Sequence, residues 1–171
     1  MFVCAGTLAA FATGAALGFL GSHVSSAIRL TFFSLVVVGL AGVGLTQLIS
    51  RRAITPWQLD RETSQRWLRN GPITWSIKNG MALGFGATSR LGYWLWYLVP
   101  VGAFVSGGTT SAAVIYGLYG LSRTFPALVL YLDMRLGRQY VSHALLERYE
   151  RWQSIERALL VAALALLLVP A

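Results

Sequence analysis

The chain has 171 residues, 56% hydrophobic and 12% charged, with a mean hydropathy of +0.60; a soluble domain carries about twice that charged fraction. Net charge is +8, from 14 Lys+Arg against 6 Asp+Glu. The positive charge lies between apolar segments, where the basic bias of cytoplasmic loops accounts for it without a nucleic-acid partner.

Apolar runs of about 20 residues recur, the length that crosses a bilayer core about 30 Å thick. They lack the alternation of barrel strands, so their backbone must satisfy itself within helices. The expected fold is an all-α integral membrane protein forming a single membrane domain over 1–171. About five transmembrane helices make one bundle, with an amphipathic surface helix on the cytoplasmic side. The expected spans are 2–20, 28–49, 81–105, 111–132 and 158–169, and the polar cytoplasmic connections are 51–78 and 133–157.

The first run, FVCAGTLAAFATGAALGFL, has no basic n-region and is long for the apolar region of a signal peptide. Its Gly14 and Gly18 form a GxxxG pair, which lets a neighbouring helix approach closely. The second run ends at Arg51-Arg52. Trp57, Trp67 and Trp75 punctuate the connection that follows, as in a segment lying at lipid headgroups. Beyond the fourth run, Leu136, Tyr140, Val141, Leu145, Tyr149, Trp152 and Ile155 recur at helical spacing opposite Arg138, Glu147, Arg148, Glu150 and Arg151, which gives the expected surface helix. The last run is short and spans only by continuing the helix before it or by thinning the bilayer.

Both long polar connections are rich in arginine, whereas 21–27 and 106–110 contain neither Lys nor Arg. Two crossings separate the basic connections, so they share a side. The positive-inside rule puts that side in the cytoplasm, with the N-terminus inside and the C-terminus outside. The expected location is an integral membrane protein of a bacterial inner (plasma) membrane.

The third and fourth runs each carry one arginine. At ~1.5 Å per residue, Arg90 and Arg123 lie about 22–26 Å inward of the turn at Gly107-Gly108, in the cytoplasmic third of the core. Neither run offers an acid. An intramembrane arginine marks a functional site by default, here a shared anion or substrate site with the hydroxyls of Thr88, Ser89, Ser122 and Thr124 as further donors. The alternative is that both guanidinium groups snorkel to the cytoplasmic headgroups. Gly80, Gly84, Gly86 and Gly92 fit either a broken helix whose free amides face a ligand or tight packing.

Leu83-Gly-Phe-Gly-Ala-Thr-Ser-Arg-Leu-Gly92, then Tyr116-Gly-Leu-Tyr-Gly120 and Phe125-Pro126, give the chain a resemblance. Over 2–132 it resembles the transmembrane domain of the CcdA/DsbD cytochrome c biogenesis and thiol-reductant carriers, within the broader LysE-like group. The resemblance implies inverted three-helix halves and an N-in, C-out arrangement. It departs from the family in lacking the first helix and the redox cysteines. The second family cysteine falls near Ser89 and Arg90, and Cys4 matches neither position. Thiol–disulfide transfer needs two thiols, and this chain has one cysteine, which makes neither an internal disulfide nor a CxxC pair.

The functional expectation is a non-redox relative of those carriers, handling a small polar or anionic solute. One alternative is a structural or accessory subunit of a larger membrane complex; another is thiol-reductant transfer in cytochrome c maturation. No catalytic dyad or phosphate loop is present, and His23 and His143 lack companions at metal-ligand spacing, so neither an enzyme, a cofactor nor a metal is expected. The expected partners are the lipid bilayer and a partner membrane subunit or a homo-dimer, because an odd number of spans leaves an inverted repeat one helix short.

Overall fold

In the structure, a computed structural model that describes residues 1–50, 54, 56, 69, 71–86, 93–137, 151, 154–156, 158–160 and 162, the apolar runs become helices. Among the described residues every regular element is helical. They are α1 (Phe2–Ser22), α2 (Ser26–Ser50), α3 (Pro72–Phe85), a 3₁₀ turn (Trp94–Tyr97) leading into α4 (Leu98–Ser106), and α5 (Thr109–Arg135). The long ones, α1, α2 and α5, have 21, 25 and 27 residues. At ~1.5 Å per residue these are about 31–40 Å long, and all three are apolar enough to cross a membrane.

The packing is inverted relative to a soluble protein. Ala10, Ala103 and Ala112 are completely buried, while Leu35, Leu118 and Ile49 are 66%, 62% and 76% exposed. A water-soluble monomer rarely exposes so much contiguous apolar surface. In lipid, large aliphatic side chains lose nothing by facing outward, and small ones let backbones approach. Hydroxyls follow the same logic. Thr13, Thr31 and Thr46 each donate to a carbonyl of their own helix four residues back, at 2.8–2.9 Å, and need no other partner.

One stripe of α1 organises the bundle. Gly6, Ala10, Gly14 and Gly18 recur every four residues and are buried along one side. A Cβ on Gly18 would strike the Gly108 carbonyl, one on Gly14 the Ala112 carbonyl and Tyr116 Cβ, and one on Gly6 the Thr124 methyl. The order of these contacts makes α1 and α5 antiparallel. Gly80 meets the Phe2 carbonyl, Gly84 meets Gly6 and Ala9, and Gly21 meets the Phe104 carbonyl. The α3–α4 stretch therefore runs parallel to α1, with α3 on the N-terminal half of α1 and α4 on the other.

Helix α2 joins mainly through α4. Arg29 Nη1 donates to the Val105 carbonyl at 3.0 Å, in the last turn of α4, where carbonyls lack helical partners. Phe32 and Phe104 pack edge to face at 6.0 Å. At the other end of α2, Gln47 Nε2 and Trp94 Nε1 both donate to the Ile54 carbonyl, at 3.1 and 2.8 Å. This fixes α2 antiparallel to α4. Consequently the starts of α1 and α3 and the ends of α2 and α5 lie at one end of the bundle, and the α1–α2 and α4–α5 turns at the other.

The third expected span differs from the structure. In place of one segment over 81–105, α3 ends at Phe85 and a second helical stretch, Trp94–Ser106, starts after an extended Tyr93; residues 87–92 between them lie outside the described residues. Gly71, at φ +91°, and Pro72 start α3 inside the stretch read as a polar connection, because proline is favoured in a first turn. Gly86, at φ +73°, ends it in the left-handed region, with its N–H on the Leu83 carbonyl at 3.2 Å. Most of the expected surface helix in 133–157 and of the span 158–169 lies outside the described residues.

Candidate functional site

The break between α3 and α4 lies at mid-depth of the bundle. Tyr116 and Gly120 of α5 face Gly14 and Ala10, the middle of α1. A helix interrupted there has two ends whose backbone groups lack helical partners: carbonyls at the end of α3 and N–H groups at the start of the 3₁₀ turn. Lipid offers no hydrogen bonds, so side chains must meet both ends.

The end of α3 is met by α5. Tyr116 Oη donates to the Phe85 carbonyl at 3.0 Å. A Cβ on Gly86 would lie 2.6 Å from Tyr116 Oη and 3.0 Å from Tyr119 Oη, so glycine is required both for its left-handed backbone and for the hydroxyls pressed against it. The Tyr119 ring packs edge to face on Tyr116 at 5.0 Å and on Trp96 at 5.2 Å. Tyr119 thus bridges the break, its hydroxyl beside the last residues of α3 and its ring on the turn that opens α4.

Arg123 completes this face. Its Nη1 donates to Tyr119 Oη at 2.8 Å, and the guanidinium carbon lies 5.5 Å from the centre of the Tyr119 ring. The side chain therefore reaches back along α5 toward mid-depth, the direction in which helical side chains lean. A snorkelling arginine would reach the other way, toward the end of α5. The contact combines a charged hydrogen bond with cation–π attraction, both strengthened where water is excluded.

The start of α4 is met by an acid from far along the chain. Glu156, 9% exposed, accepts the Leu95 N–H on Oε1 at 3.0 Å. The capping position itself, Tyr93, makes no side-chain capping bond. A carboxylate at a helix N-terminus is favoured by the aligned peptide dipoles. Leu160, one turn further on, is 1% exposed.

The expected residues divide as follows. Arg123 lies at the break. Ser122 donates to the Tyr119 carbonyl at 2.7 Å and is exposed; Thr124 is fully buried and donates to the Gly120 carbonyl at 2.8 Å while its methyl packs at Gly6. Both hydroxyls serve their own helix, and the hydroxyl on Arg123 is that of Tyr119. Arg90, Thr88 and Ser89 lie outside the described residues. Gly14 and Gly18 sit on the α1–α5 seam, Gly14 against Tyr116 at the depth of the break and Gly18 nearer the α4–α5 turn.

Sequence reasoning missed Tyr116, Tyr119, Trp96 and Glu156 as site residues. The spacing of Tyr116, Tyr119 and Arg123 places them on one helix face and was a usable signal. Glu156 had none, because its role depends on where the chain returns. No protein-family model, curated protein or solved structure matches the chain.

Proposed function

We propose that this protein is a polytopic membrane carrier that handles a small polar or anionic solute at the broken helix α3–α4. The observation that carries this reading is Arg123, turned inward at mid-depth onto Tyr119 beside the break. An ionisable group in that position is expensive in a bilayer and typical of solute pathways. Discontinuous helices at the bilayer midplane are the usual frame for such sites, their half-helix ends facing the solute. About five spans, with both basic connections and the N-terminus in the cytoplasm of a bacterial inner membrane, complete the proposal. The likeness to CcdA/DsbD-type carriers, with this chain as a non-redox relative of them, remains part of it, resting on 83–92, 116–120 and 125–126.

The test is reconstitution of the purified protein in phospholipid vesicles with labelled acetate, succinate, phosphate and sulfate, one at a time. At least one should exchange faster than in empty vesicles. Arg123→Gln should abolish that exchange and Arg123→Lys should reduce it, since lysine keeps the charge but loses the planar fork. Exchange that is equal in Arg123→Gln and the unaltered protein would refute an anion site at Arg123.

A second reading, an accessory subunit of a larger membrane complex, is favoured by α2. Cβ atoms on Gly39 and Gly42 would meet nothing within 4 Å, and Leu35 and Val38 beside them are exposed. Such a face suits a helix of a partner subunit or of a second copy. Co-purification of a stoichiometric membrane partner that is lost in Gly39→Leu would support it.

A further inference from the structure

We propose that the Tyr119 hydroxyl is the hydrogen-bond donor that meets an oxygen of the solute, with Arg123 behind it to hold and polarise it. The solute is thereby narrowed to an oxyanion, of the carboxylate or phosphate kind. This deepens the proposed carrier reading and rests on it for the presence of a solute.

Three observations carry it. First, the hydroxyl has a proton to spare. Arg123 Nη1 donates to Tyr119 Oη at 2.8 Å, and a guanidinium has no acceptor to offer in return. The bond therefore uses a lone pair of the oxygen and leaves its proton over. Among the described residues that proton meets no acceptor. Tyr116, three residues earlier, differs, because its proton is spent on the Phe85 carbonyl at 3.0 Å.

Second, burial makes the spare proton costly. Tyr119 is 5% exposed, and a buried phenol ordinarily finds a partner for its O–H. The packing does not need it. Phenylalanine would keep the edge-to-face contacts with Tyr116 and Trp96 and the cation–π contact with Arg123, with no hydroxyl to desolvate. Holding Arg123 by a hydrogen bond needs the lone pair alone. The proton is left for a partner from outside the helices.

Third, the surroundings suit a negative partner. Neither 1–59 nor 63–132 contains Asp or Glu, so α1 to α4, and α5 as far as Leu132, offer that proton no carboxylate. A hydroxyl that accepts from a cation becomes a stronger donor in a water-poor interior. Beside a guanidinium, whose planar fork favours oxyanions, it is matched to an oxygen that carries negative charge. Gly86 keeps other side chains away, since a Cβ there would lie 3.0 Å from Tyr119 Oη. The proton stays on the phenol oxygen throughout.

The experiment uses the reconstituted protein with acetate, succinate, phosphate and sulfate, and reads exchange and the infrared spectrum of ring-¹³C-labelled tyrosine. The phenol C–O stretch separates a hydroxyl that only accepts from one that also donates. At least one anion should shift this band toward the donating form, and the shift should be absent in Tyr119→Phe. For that anion, the half-saturating concentration for exchange should rise about tenfold in Tyr119→Phe, as expected for loss of one hydrogen bond to a charged group. Difluorotyrosine placed at position 119 is a stronger donor and a weaker acceptor, so it should lower the half-saturating concentration. A hydroxyl that serves only to hold Arg123 would raise it instead, and that result would overturn the proposal. The fluorinated protein keeps the hydroxyl and Tyr119→Phe keeps the ring, so one remains informative if the other fails to fold. Exchange that depends on Arg123 but is unchanged in Tyr119→Phe would remove Tyr119 as the donor and leave the carrier reading standing. A band shift at Tyr119 with no exchange of any of the four anions would keep the donor and remove the carrier. No shift and no exchange would remove both.

Discussion

Two glycine substitutions in similar helices should change stability with opposite sign. Gly14 lies on the seam between α1 and α5. A Cβ there would sit 2.6 Å from Tyr116 Cβ, 3.0 Å from the Ala112 carbonyl carbon and closer still to its oxygen. These atoms are backbone or directly attached to it, so no side-chain rotation relieves the clash. The helices must separate, which weakens the dispersion contacts along the stripe. Gly14→Ala should therefore destabilise by about 1–3 kcal/mol, the range for overpacking a tight interface. Gly42 of α2 is the control, because a Cβ there meets nothing within 4 Å. There only intrinsic helix propensity acts, and Gly42→Ala should stabilise by about 0.5–1 kcal/mol. Unfolding of the purified protein in mixed micelles, titrated with sodium dodecyl sulfate and followed by tryptophan fluorescence, measures both. Equal effects of the two substitutions, or a Gly14→Ala variant as stable as the unaltered chain, would refute the account of α1 as a close-packed glycine seam.

Tyr116→Phe removes the hydroxyl on the Phe85 carbonyl and should cost about 1 kcal/mol in the same titration; no loss would mean that this carbonyl has another partner. Gly86→Ala meets both an unfavourable φ and the Tyr116 hydroxyl, so it should cost more than Tyr116→Phe, and the double variant should lose less than the sum because one clash partner is gone. Arg29→Gln should loosen α2 from the end of α4, read as faster proteolysis at the α4–α5 turn; unchanged cleavage would argue against the Val105 contact as an anchor. The topology predicts that an impermeant thiol reagent outside intact cells labels Thr109→Cys and spares Cys4, and the reverse pattern would invert the orientation.

Helices α1, α2 and α5 were legible because crossing a bilayer is a matter of length and hydropathy, and 2–20, 28–49 and 111–132 fall within two or three residues of them. The broken span was not legible in the same way. Summing hydropathy over 81–105 cannot detect an interruption, since Gly86 differs from a packing glycine only in its φ. Gly84 and Gly86 stand two residues apart, yet the first meets the Gly6 carbonyl across a helix interface and the second ends the helix. Of the α1 stripe, Gly14 and Gly18 were visible as a pair, but their partners Gly108 and Ala112 are tertiary facts. Arg123 was found by its cost in lipid. The direction of its side chain was not, because both directions are open until Tyr119 is placed one turn before it.

The break also shows why charges of both signs can be tolerated at this depth. An interrupted helix leaves roughly half a negative charge at the end of α3 and half a positive charge at the start of the next helix, by the alignment of peptide dipoles. In a bilayer neither is screened by water. Arg123 approaches the first through the Tyr119 hydroxyl beside Gly86, and Glu156 meets the second through the Leu95 N–H. Each formal charge thus faces the partial charge of opposite sign. Desolvating the ions and breaking the helix are each unfavourable alone and offset one another when combined. Removing either formal charge weakens that match, although the Phe85 carbonyl keeps the Tyr116 hydroxyl and an amide at 156 can still accept the Leu95 N–H. That coupling is why Glu156→Gln and Arg123→Gln should both act at the break although they touch opposite edges of it.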